Sequence, residues 1–443
     1  MTKLLVIGAV TAGTSAAAKA RRVDSKLEIK LLAESQYISY GSCGLPYFIG
    51  GAIAAKEKLL ARSIENFAQQ GIEVKNLCKA TEINLSKQKV IFRNLAQNSI
   101  FEEFYDKLII ATGARPIIFD WPGTAKKGIF TLRTINDGVD IKEYLRLNKP
   151  GQVLIVGAGY IGLEMAENLS ALGFQVTLVE RGSQVAPSMD PDMALIIQEH
   201  LEQKGIKVLV NQEIKGFEGG ETVAAAFTGS GVVPADFVLV SIGVRPNSEL
   251  ATDAGIKLGV GRAIEVNSQM ETNIDGVYSA GDCATTTNLV TGEDVYIPMG
   301  TTANKQGRVA GENAAGGNAA FKGVLGTGIA RVFDLEISRT GMTEKECREK
   351  GFKFISHTVK SRTAALPGYS GDVWIKIIVD EKTRRILGGQ IAGYSGAGKR
   401  IDIIATAITL GARLEDIFDA DLAYSPPFSP VWDPVLVALN QFR

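Results

Sequence analysis

Lys3-Leu4-Leu5-Val6-Ile7-Gly8-Ala9-Val10-Thr11-Ala12-Gly13 opens the chain, and Gln152-Val153-Leu154-Ile155-Val156-Gly157-Ala158-Gly159-Tyr160-Ile161-Gly162 repeats its design one third of the way along. Each stretch is an apolar run, a glycine turn and the start of a helix. Runs that are apolar at every position, rather than at alternate ones, fit strands buried on both faces of a parallel sheet, with helices over 15–22 and 163–172 packed across them. In each unit the next apolar run ends close to an acid, Glu34 in the first and Glu180 in the second. That is near the roughly 20-residue offset at which an acid accepts from an adenosine ribose hydroxyl. The second unit satisfies G-x-G-x-x-G through Gly157, Gly159 and Gly162, whereas the first keeps Gly8 and Gly13 but carries Val10 in the middle. One such match is weak. Two, each with its strand, helix and acid, specify two dinucleotide-binding folds. Val10 implies that the backbone approaches the first pyrophosphate less closely, or that the loop shifts.

The rest of the chain is organised around these units. A length of 443 residues suits two to four domains. With 48 basic and 48 acidic side chains, nothing points to a nucleic-acid or membrane partner, although an even total can hide a local basic patch. Four irregularly spaced cysteines make neither a zinc pattern nor a disulfide framework, so no metal is expected and a reducing, cytoplasmic compartment is. The apolar stretch 4–7 is too short for a signal peptide or a membrane span. Further strand-and-turn signals occur at 108–116 and 277–282, and 298–308 reads as a turn opening a helix. From about Gly326 the pattern changes to alternating strands, 373–379 and 385–391, then a helix over 401–410, which indicates a separate α+β domain. The ending Tyr424-Ser425-Pro426-Pro427-Phe428-Ser429-Pro430-Val431-Trp432 holds an extended, aromatic segment that needs a surface to cover, and a dimer partner would supply one.

Cys43 lies in Ser39-Tyr40-Gly41-Ser42-Cys43-Gly44-Leu45-Pro46-Tyr47. Position 48 is Phe48 and the next cysteine is Cys78, so a redox-active Cys43 must find its partner sulfur elsewhere. The options are a mixed disulfide with a small thiol, a persulfide or a sulfenic acid. A helix beginning near Gly44-Leu45-Pro46 is expected to favour its thiolate. Cys78, Cys283 and Cys347 have no motif around them and are read as packing residues.

Both nucleotide units, Ala111-Thr112-Gly113, Ala280-Gly281-Asp282 and the Cys43 segment occur in an order that resembles the pyridine nucleotide-disulfide oxidoreductase family over the whole chain. Many of its members carry a cysteine pair; the lone Cys43 is similar to the branch that holds coenzyme A-disulfide reductase, NADH oxidase and NADH peroxidase. Ser42-Cys43-Gly44-Leu45-Pro46-Tyr47 and Ala423-Tyr424-Ser425-Pro426-Pro427 are most similar to the first of these. The resemblance implies an α/β fold of two Rossmann-like domains plus a C-terminal α+β dimerisation domain: 1–118 and 247–325 binding FAD, 119–246 binding NAD(P)H, and 326–443 forming a homodimer. Gly8, Ala9, Val10, Gly13 and Glu34 would hold the ADP half of FAD, Thr112, Gly113 and Arg133 would line its path, and Asp282 would bond the ribityl chain. A helix after Ala303 would point its N-terminus at the flavin. Gly157, Gly159, Ile161, Gly162, Glu180 and Gly243 would hold NADH, with NADPH possible, while Tyr160 would gate the nicotinamide and Glu164 would lie nearby.

The same resemblance implies two electrons delivered from the nicotinamide, by way of the flavin, to Cys43, which would rest as a mixed disulfide with coenzyme A. Tyr424, from the other subunit of an active site shared across the dimer, would protonate the departing thiolate. Ser15, Lys19 and Arg22 fall at i, i+4 and i+7 on one helix face. That face would meet coenzyme A, with Ser39, Ser42 and Asn304 near its thiol end. The family often has Tyr-Tyr-Pro-Gly where this chain has Ala365-Leu366-Pro367-Gly368, so a substrate-site tyrosine is missing unless Tyr369 replaces it. This leaves room for a polysulfide or persulfide acceptor. The chain ends soon after Trp432, with no room for an appended rhodanese-like domain, so persulfide chemistry is expected to rest on Cys43. The expected function is therefore reduction of coenzyme A disulfide or a related small disulfide, persulfide or polysulfide. An NADH oxidase or peroxidase is the alternative; it would want a histidine where this chain has Val10-Thr11-Ala12, and the only histidines are His200 and His357. A redox-sensing NADH-binding flavoprotein is a third possibility.

Overall fold

The computed structural model describes residues 2–443. Its first sheet has five parallel strands in the spatial order Val277–Ser279, Lys107–Ile110, Lys3–Ile7, Glu28–Leu32, Ile72–Lys75. Leu4, Leu5, Val6, Leu108, Ile109 and Ile110 are all buried, as runs without polar alternation require of a sheet covered on both faces. The second sheet repeats the plan with Lys207–Leu209, Gln175–Val179, Gln152–Val156, Phe237–Val240 and Ile129–Phe130, again parallel. Helices Thr11–Val23 and Tyr160–Ala171 follow the two glycine turns.

Each unit also carries a three-stranded antiparallel sheet that the sequence reading did not resolve. Cys78–Asn84, Lys89–Asn94 and Ser99–Phe104 precede Lys107–Ile110, while Ile214–Glu218, Ala225–Thr228 and Gly231–Pro234 precede Phe237–Val240. In both cases the excursion returns as the strand beside the unit's first strand. The links between units, Ala114–Pro116 and Val244–Pro246, pair antiparallel with each other. The chain then adds Val277–Ser279 to the edge of the first sheet, so that sheet is built from both sides of the second unit.

The C-terminal region is an antiparallel sheet in the order Gly328–Val332, Leu335–Gly341, Ile386–Gly393, Asp372–Asp380, Phe354–Arg362, with helices Ile401–Thr409 and Pro434–Leu439 packed on it. Buried Lys376 pairs with Asp192 at 2.8 Å and Glu344 at 2.7 Å, and stands 3.5 Å from Asp190. Gln390 donates to Asp190 at 2.6 Å. This cluster joins helix Pro191–Gln203 of the second unit to the C-terminal sheet. Among the described residues no helix is long and apolar enough to cross a membrane.

The 298–308 segment opens a helix at Gly300, which runs to Ala314. It lies directly against Thr11–Val23: a Cβ on Gly307 would sit 2.3 Å from the Ala12 carbonyl oxygen, and one on Gly311 would sit 2.1 Å from that of Ala16. Those clashes are with backbone, which has no rotamer to yield. Gly311→Val is expected to force the helices apart and lower stability by about 2 kcal/mol or more, read as a drop in denaturant midpoint. Gly229→Ala, which meets open space, is the control and should stay within about 0.5 kcal/mol of the parent.

Candidate functional site

Both glycine turns are shaped by backbone contact. A Cβ on Gly8, whose φ is +102°, would fall 2.1 Å from the Ala111 oxygen, and one on Gly13 would fall 1.8 Å from the Gly8 oxygen. In the second turn Gly157, at φ +103°, approaches the Ser241 oxygen and Gly162 approaches the Gly157 oxygen at 2.0 Å, while nothing lies within 4 Å of the Gly159 position. Three glycines are thus needed for two different reasons: the outer two let backbones meet and the middle one leaves room for a ligand. Val10 occupies that middle place in the first turn, at φ −97°. Neither following helix has a side-chain cap or an acid in its first turn, so their free amides are left for an anion.

The two acids behave differently. Glu180 accepts from the amides of Ala158 at 2.9 Å and Gly182 at 2.7 Å, which fixes its carboxylate at the mouth of the second turn. Exposed Glu34 instead pairs with Lys79 at 2.9 Å. Gly243, at φ +113°, lies past the end of Phe237–Val240, where its carbonyl accepts from Ile117 at 2.9 Å. Ile161 is exposed beside the second turn.

At the first sheet's carboxyl end, Arg133 pairs with Asp282 at 2.7 Å and donates to the Ala114 carbonyl at 3.1 Å. The Asp282 carbonyl accepts the Tyr296 hydroxyl at 2.9 Å. Gly113 has φ +69°. The Thr112 hydroxyl donates to the Asn247 carbonyl at 2.6 Å, which ties it to the link between the units. The helix expected after Ala303 starts three residues earlier. The Ala303 amide already donates to Met299, which leaves the free first-turn amides to Gly300, Thr301 and Thr302.

Cys43 is exposed, within the short turn Ser42–Gly44 that precedes helix Leu45–Ile49. Its segment is tied to the first glycine turn, because the Ser39 amide donates to the Ala9 carbonyl at 2.8 Å. The expected thiolate-favouring setting is not what the structure provides. Desolvation by the surrounding atoms, then the Glu164 carboxylate, push the thiol up, and Arg133 only partly opposes them. A helix of five residues has too few aligned peptides to outweigh that. Glu164 is the fifth residue of its helix, not a first-turn cap, and burial followed by the neighbouring Glu167 raise its carboxyl to about 7. Tyr160 rests against the C-terminal region, where a Cβ on Gly328 would lie 2.9 Å from its hydroxyl.

Ser15, Arg22, Ser39 and Asn304 line one pocket of about 340 Å³, joined by Arg62 and Arg308. The Asn304 amide donates to Ser15 at 2.9 Å. Lys19 does not join them: it turns to Glu312 at 2.8 Å, across the helix contact. The cationic character expected of a Lys19–Arg22 stripe therefore comes from Arg22 with Arg62 and Arg308. Sequence reasoning missed both of the latter. Arg308 lies one turn beyond Asn304 on the same helix, a usable signal, whereas Arg62 comes from a loop with none. Ser42 stays in the Cys43 turn.

Half-exposed Tyr424 lies on the outer surface of the C-terminal region, and the groups acting on the Cys43 thiol within the chain do not include it. The amides of Ala365 and Leu366 donate to the Pro426 carbonyl, so the loop bearing exposed Tyr369 and the Tyr424 segment share one surface with Phe428 and Trp432. Cys78, Cys283 and Cys347 are buried. His200 is buried with Nδ1 3.2 Å from the Tyr394 hydroxyl, and His357 stands edge-on to Phe442, so neither faces Cys43.

The pyridine nucleotide-disulphide oxidoreductase family matches residues 2–307, and that family's dimerisation domain matches 329–434. The NAD(P)H sulfur oxidoreductase (CoA-dependent) of Pyrococcus furiosus is 38% identical over 439 residues, covering 98% of each chain. The coenzyme A disulfide reductase of Staphylococcus aureus is 32% identical, covering 97% of each. A solved NAD-dependent persulfide reductase from A. fulgidus superimposes with a TM-score of 0.96 at 37% identity, over 100% of this chain and 83% of that one.

Since the Glu164 anion opposes the Cys43 anion, Glu164→Gln is expected to lower the thiol's pKa. The check is the pH dependence of Cys43 alkylation, whose midpoint should move to lower pH by up to about 1 unit.

Proposed function

Because the chain belongs to the pyridine nucleotide-disulphide oxidoreductase family, we propose that it is an FAD-dependent, NADH-using reductase of coenzyme A disulfide or a related small disulfide, persulfide or polysulfide, with Cys43 as its one redox sulfur. The observation that carries this reading is the placing of a lone, exposed Cys43 on a segment that also supplies Ser39 to a pocket holding three guanidinium groups. Such a pocket suits a phosphorylated carrier thiol.

The residues fit two dinucleotides. Gly8, Ala9, Val10 and Gly13 leave the helix amides of Thr11–Val23 free for the first pyrophosphate, and Gly157, Gly159 and Gly162 do the same for the second. Ribose contacts fall to Glu34 and Glu180, with Ile161 and Gly243 alongside the second nucleotide. Thr112 through its backbone, Gly113, Arg133, Asp282 and the Gly300–Ala314 helix start would hold the remainder of FAD, which when bound relays two electrons from reduced nicotinamide to sulfur. On this reading 1–118 with 247–325 forms the FAD domain, 119–246 the NADH domain and 326–443 the dimerisation domain. The return of Val277–Ser279 to the first sheet supports that division.

At the sulfur, two electrons and a proton convert the Cys43–coenzyme A mixed disulfide into Cys43 thiolate and free coenzyme A thiol. The thiolate attacks the next disulfide, re-forming the mixed disulfide and releasing a second thiolate, which takes its proton from Tyr424 of the partner subunit. The exposed Tyr369, Tyr424, Phe428 and Trp432 surface supports an apolar dimer contact there. Tyr160 would swing from Gly328 to admit the nicotinamide. Four free cysteines suit a reducing, cytoplasmic setting.

The test is the intact mass of the unreduced protein before and after dithiothreitol, with turnover of Cys43→Ser. A loss of one coenzyme A mapped to Cys43, and no disulfide turnover in Cys43→Ser, is the expected result. A one-oxygen adduct would instead favour peroxide or dioxygen as acceptor, and full turnover in the variant would sink the reading. The rigidly held Glu180 repels a 2′-phosphate, so kcat/KM is expected to be higher with NADH than with NADPH, and steady-state kinetics with both cofactors checks it.

A further inference from the structure

Helix Leu45–Ile49, which follows the Cys43 turn, belongs by sequence to the first unit but packs into the core of the second. Leu45, Phe48 and Ile49 share one buried apolar cluster with Ile141 of helix Ile135–Asn148 and with Leu163 and Leu169 of helix Tyr160–Ala171. The approach is close on both sides: a Cβ on Gly138 would sit 3.1 Å from Leu45 Cδ2, and one on Gly50 would sit 2.0 Å from the Oδ1 of buried Asn168. Half-buried Lys142 adds a polar bond to this contact. Its Nζ donates to the Phe48 carbonyl at 3.0 Å and stands 4.4 Å from the centre of the Phe48 ring. Within its own segment that carbonyl has a poor partner, the amide of Gly51 at 3.3 Å, from a residue at φ +88°. An ammonium is favourable at a carbonyl in the last turn of a helix, and the ring face attracts it further.

We propose that Lys142 is a positioning residue for Cys43: it pins the end of helix Leu45–Ile49 to helix Ile135–Asn148 and so fixes where the sulfur stands. The inference rests on the disulfide-reductase reading above, in which Cys43 is the sulfur that takes up electrons. Helix Ile135–Asn148 can do this because its own start is fixed. Thr134 and Asp137 form a capping box, the Thr134 amide donating to the Asp137 carboxylate at 2.8 Å and the Asp137 amide to the Thr134 hydroxyl at 3.2 Å. Arg133, just before it, donates its amide to Asp137 at 2.8 Å and pairs with Asp282 at 2.7 Å. One helix therefore begins at the carboxyl end of the first sheet and grips the Cys43 helix two turns later. A hydrogen-bonded helix is a stiff spacer, so it sets the separation of the two places where the short 41–44 turn alone would leave slack. The charges that act on the Cys43 thiol are those of Glu164, Arg133 and Asp282. Lys142 thus places the sulfur without tuning its ionisation, and placement matters because a displacement of about 1 Å costs roughly 100-fold in rate.

The experiment compares Lys142→Met, which keeps an apolar stem over Phe48 but loses the ammonium, with Lys142→Arg, which keeps a cation and a donor. Arg146→Met is the control, since it removes from the same helix an exposed cation that pairs with Glu143. Two quantities are read on the full-length, FAD-loaded enzyme. One is the rate of Cys43 alkylation by iodoacetamide across pH, followed by mass after thiol reduction. The other is the ratio of kcat with coenzyme A disulfide to kcat with ferricyanide, which takes electrons from flavin without the sulfur. Lys142→Met should raise the plateau rate of alkylation about threefold or more, with its pH midpoint in place, because the freed helix end opens more often. It should lower the turnover ratio by about tenfold or more, with KM for NADH unchanged. Lys142→Arg should bring both quantities back to within about twofold of the parent, and Arg146→Met should leave both at the parent's values. A general loss of stability would lower both turnovers together and would not be rescued by arginine. A parent-like value of either quantity in Lys142→Met, a moved midpoint with an unchanged plateau, or failure of arginine to restore them overturns the proposal. If Cys43→Ser keeps full disulfide turnover, the reductase reading fails, and the alkylation arm still decides whether Lys142 places the sulfur.

Discussion

Helices Thr11–Val23 and Gly300–Ala314 touch through backbone, and the rest of the site depends on that contact. Ala12 and Ala16 offer carbonyl oxygens, Gly307 and Gly311 offer no side chain, and Gly281 closes on the Ala12 methyl from the first sheet's edge. With only glycine and alanine at the point of closest approach, the helices are held in one register. It sets Ser15 beside Asn304 and Lys19 beside Glu312, and brings Arg308 over to Arg22. It also holds two uncapped helix N-termini, one from each end of the first domain's sequence, in a single fixed relation. A helix pair spaced by leucines would have left that relation loose, since larger side chains separate axes and admit several packings.

The parts of this architecture set by local rules were legible in the sequence. Apolar runs without alternation gave the central strands, glycine spacing gave both turns, and the change to alternation near Gly326 gave the C-terminal sheet, whose first strand begins at Gly328. What was not legible was set by partners distant in sequence. Lys19 has the spacing of a ligand-facing residue, yet Glu312 claims it. Thr112 sits in a recognisable motif, yet its hydroxyl serves Asn247. Arg62 belongs to no pattern and lines the pocket from a loop that the Ala61 amide ties to the Ser39 carbonyl at 2.7 Å. The start of the helix at Gly300 was missed because Gly300, Thr301 and Thr302 are weak helix formers; there, tertiary packing overrides propensity.

Charge is handled in opposite ways at the two ends of the second unit. Where it meets the C-terminal sheet, buried Lys376 faces Asp190, Asp192 and Glu344, and burial's bias against ionisation is overcome by hydrogen bonds, so that Glu344 is held at about 2. Lys376, Asp192 and Glu344 stay ionised at any physiological pH, and the cluster acts as a rigid joint. Toward Cys43, Glu164 and Glu167 share no lysine, only an arginine at the rim, and the balance tips so that Glu164 titrates near 7. One arrangement gives a fixed contact and the other a group able to exchange a proton, and the difference is a single buried cation.

The raised thiol pKa at Cys43 then has a consistent meaning. A permanently ionised sulfur would be a poor resting partner for a nearby carboxylate and a better leaving group than attacking group, because nucleophilicity falls as the thiol pKa falls. Ionisation of the Cys43 sulfur is opposed by burial and then by Glu164, and assisted by Arg133. Arg133 also grips Asp282 and the Ala114 carbonyl, at the point where the chain leaves the first domain. The cation that tempers the sulfur is therefore fixed by the residue that also marks the end of the first sheet. The Ser39 amide on the Ala9 carbonyl fixes the sulfur's segment to the first glycine turn in the same way. That bond ties the position of the Cys43 segment to the first glycine turn, so the sulfur is placed by the same backbone that shapes the turn.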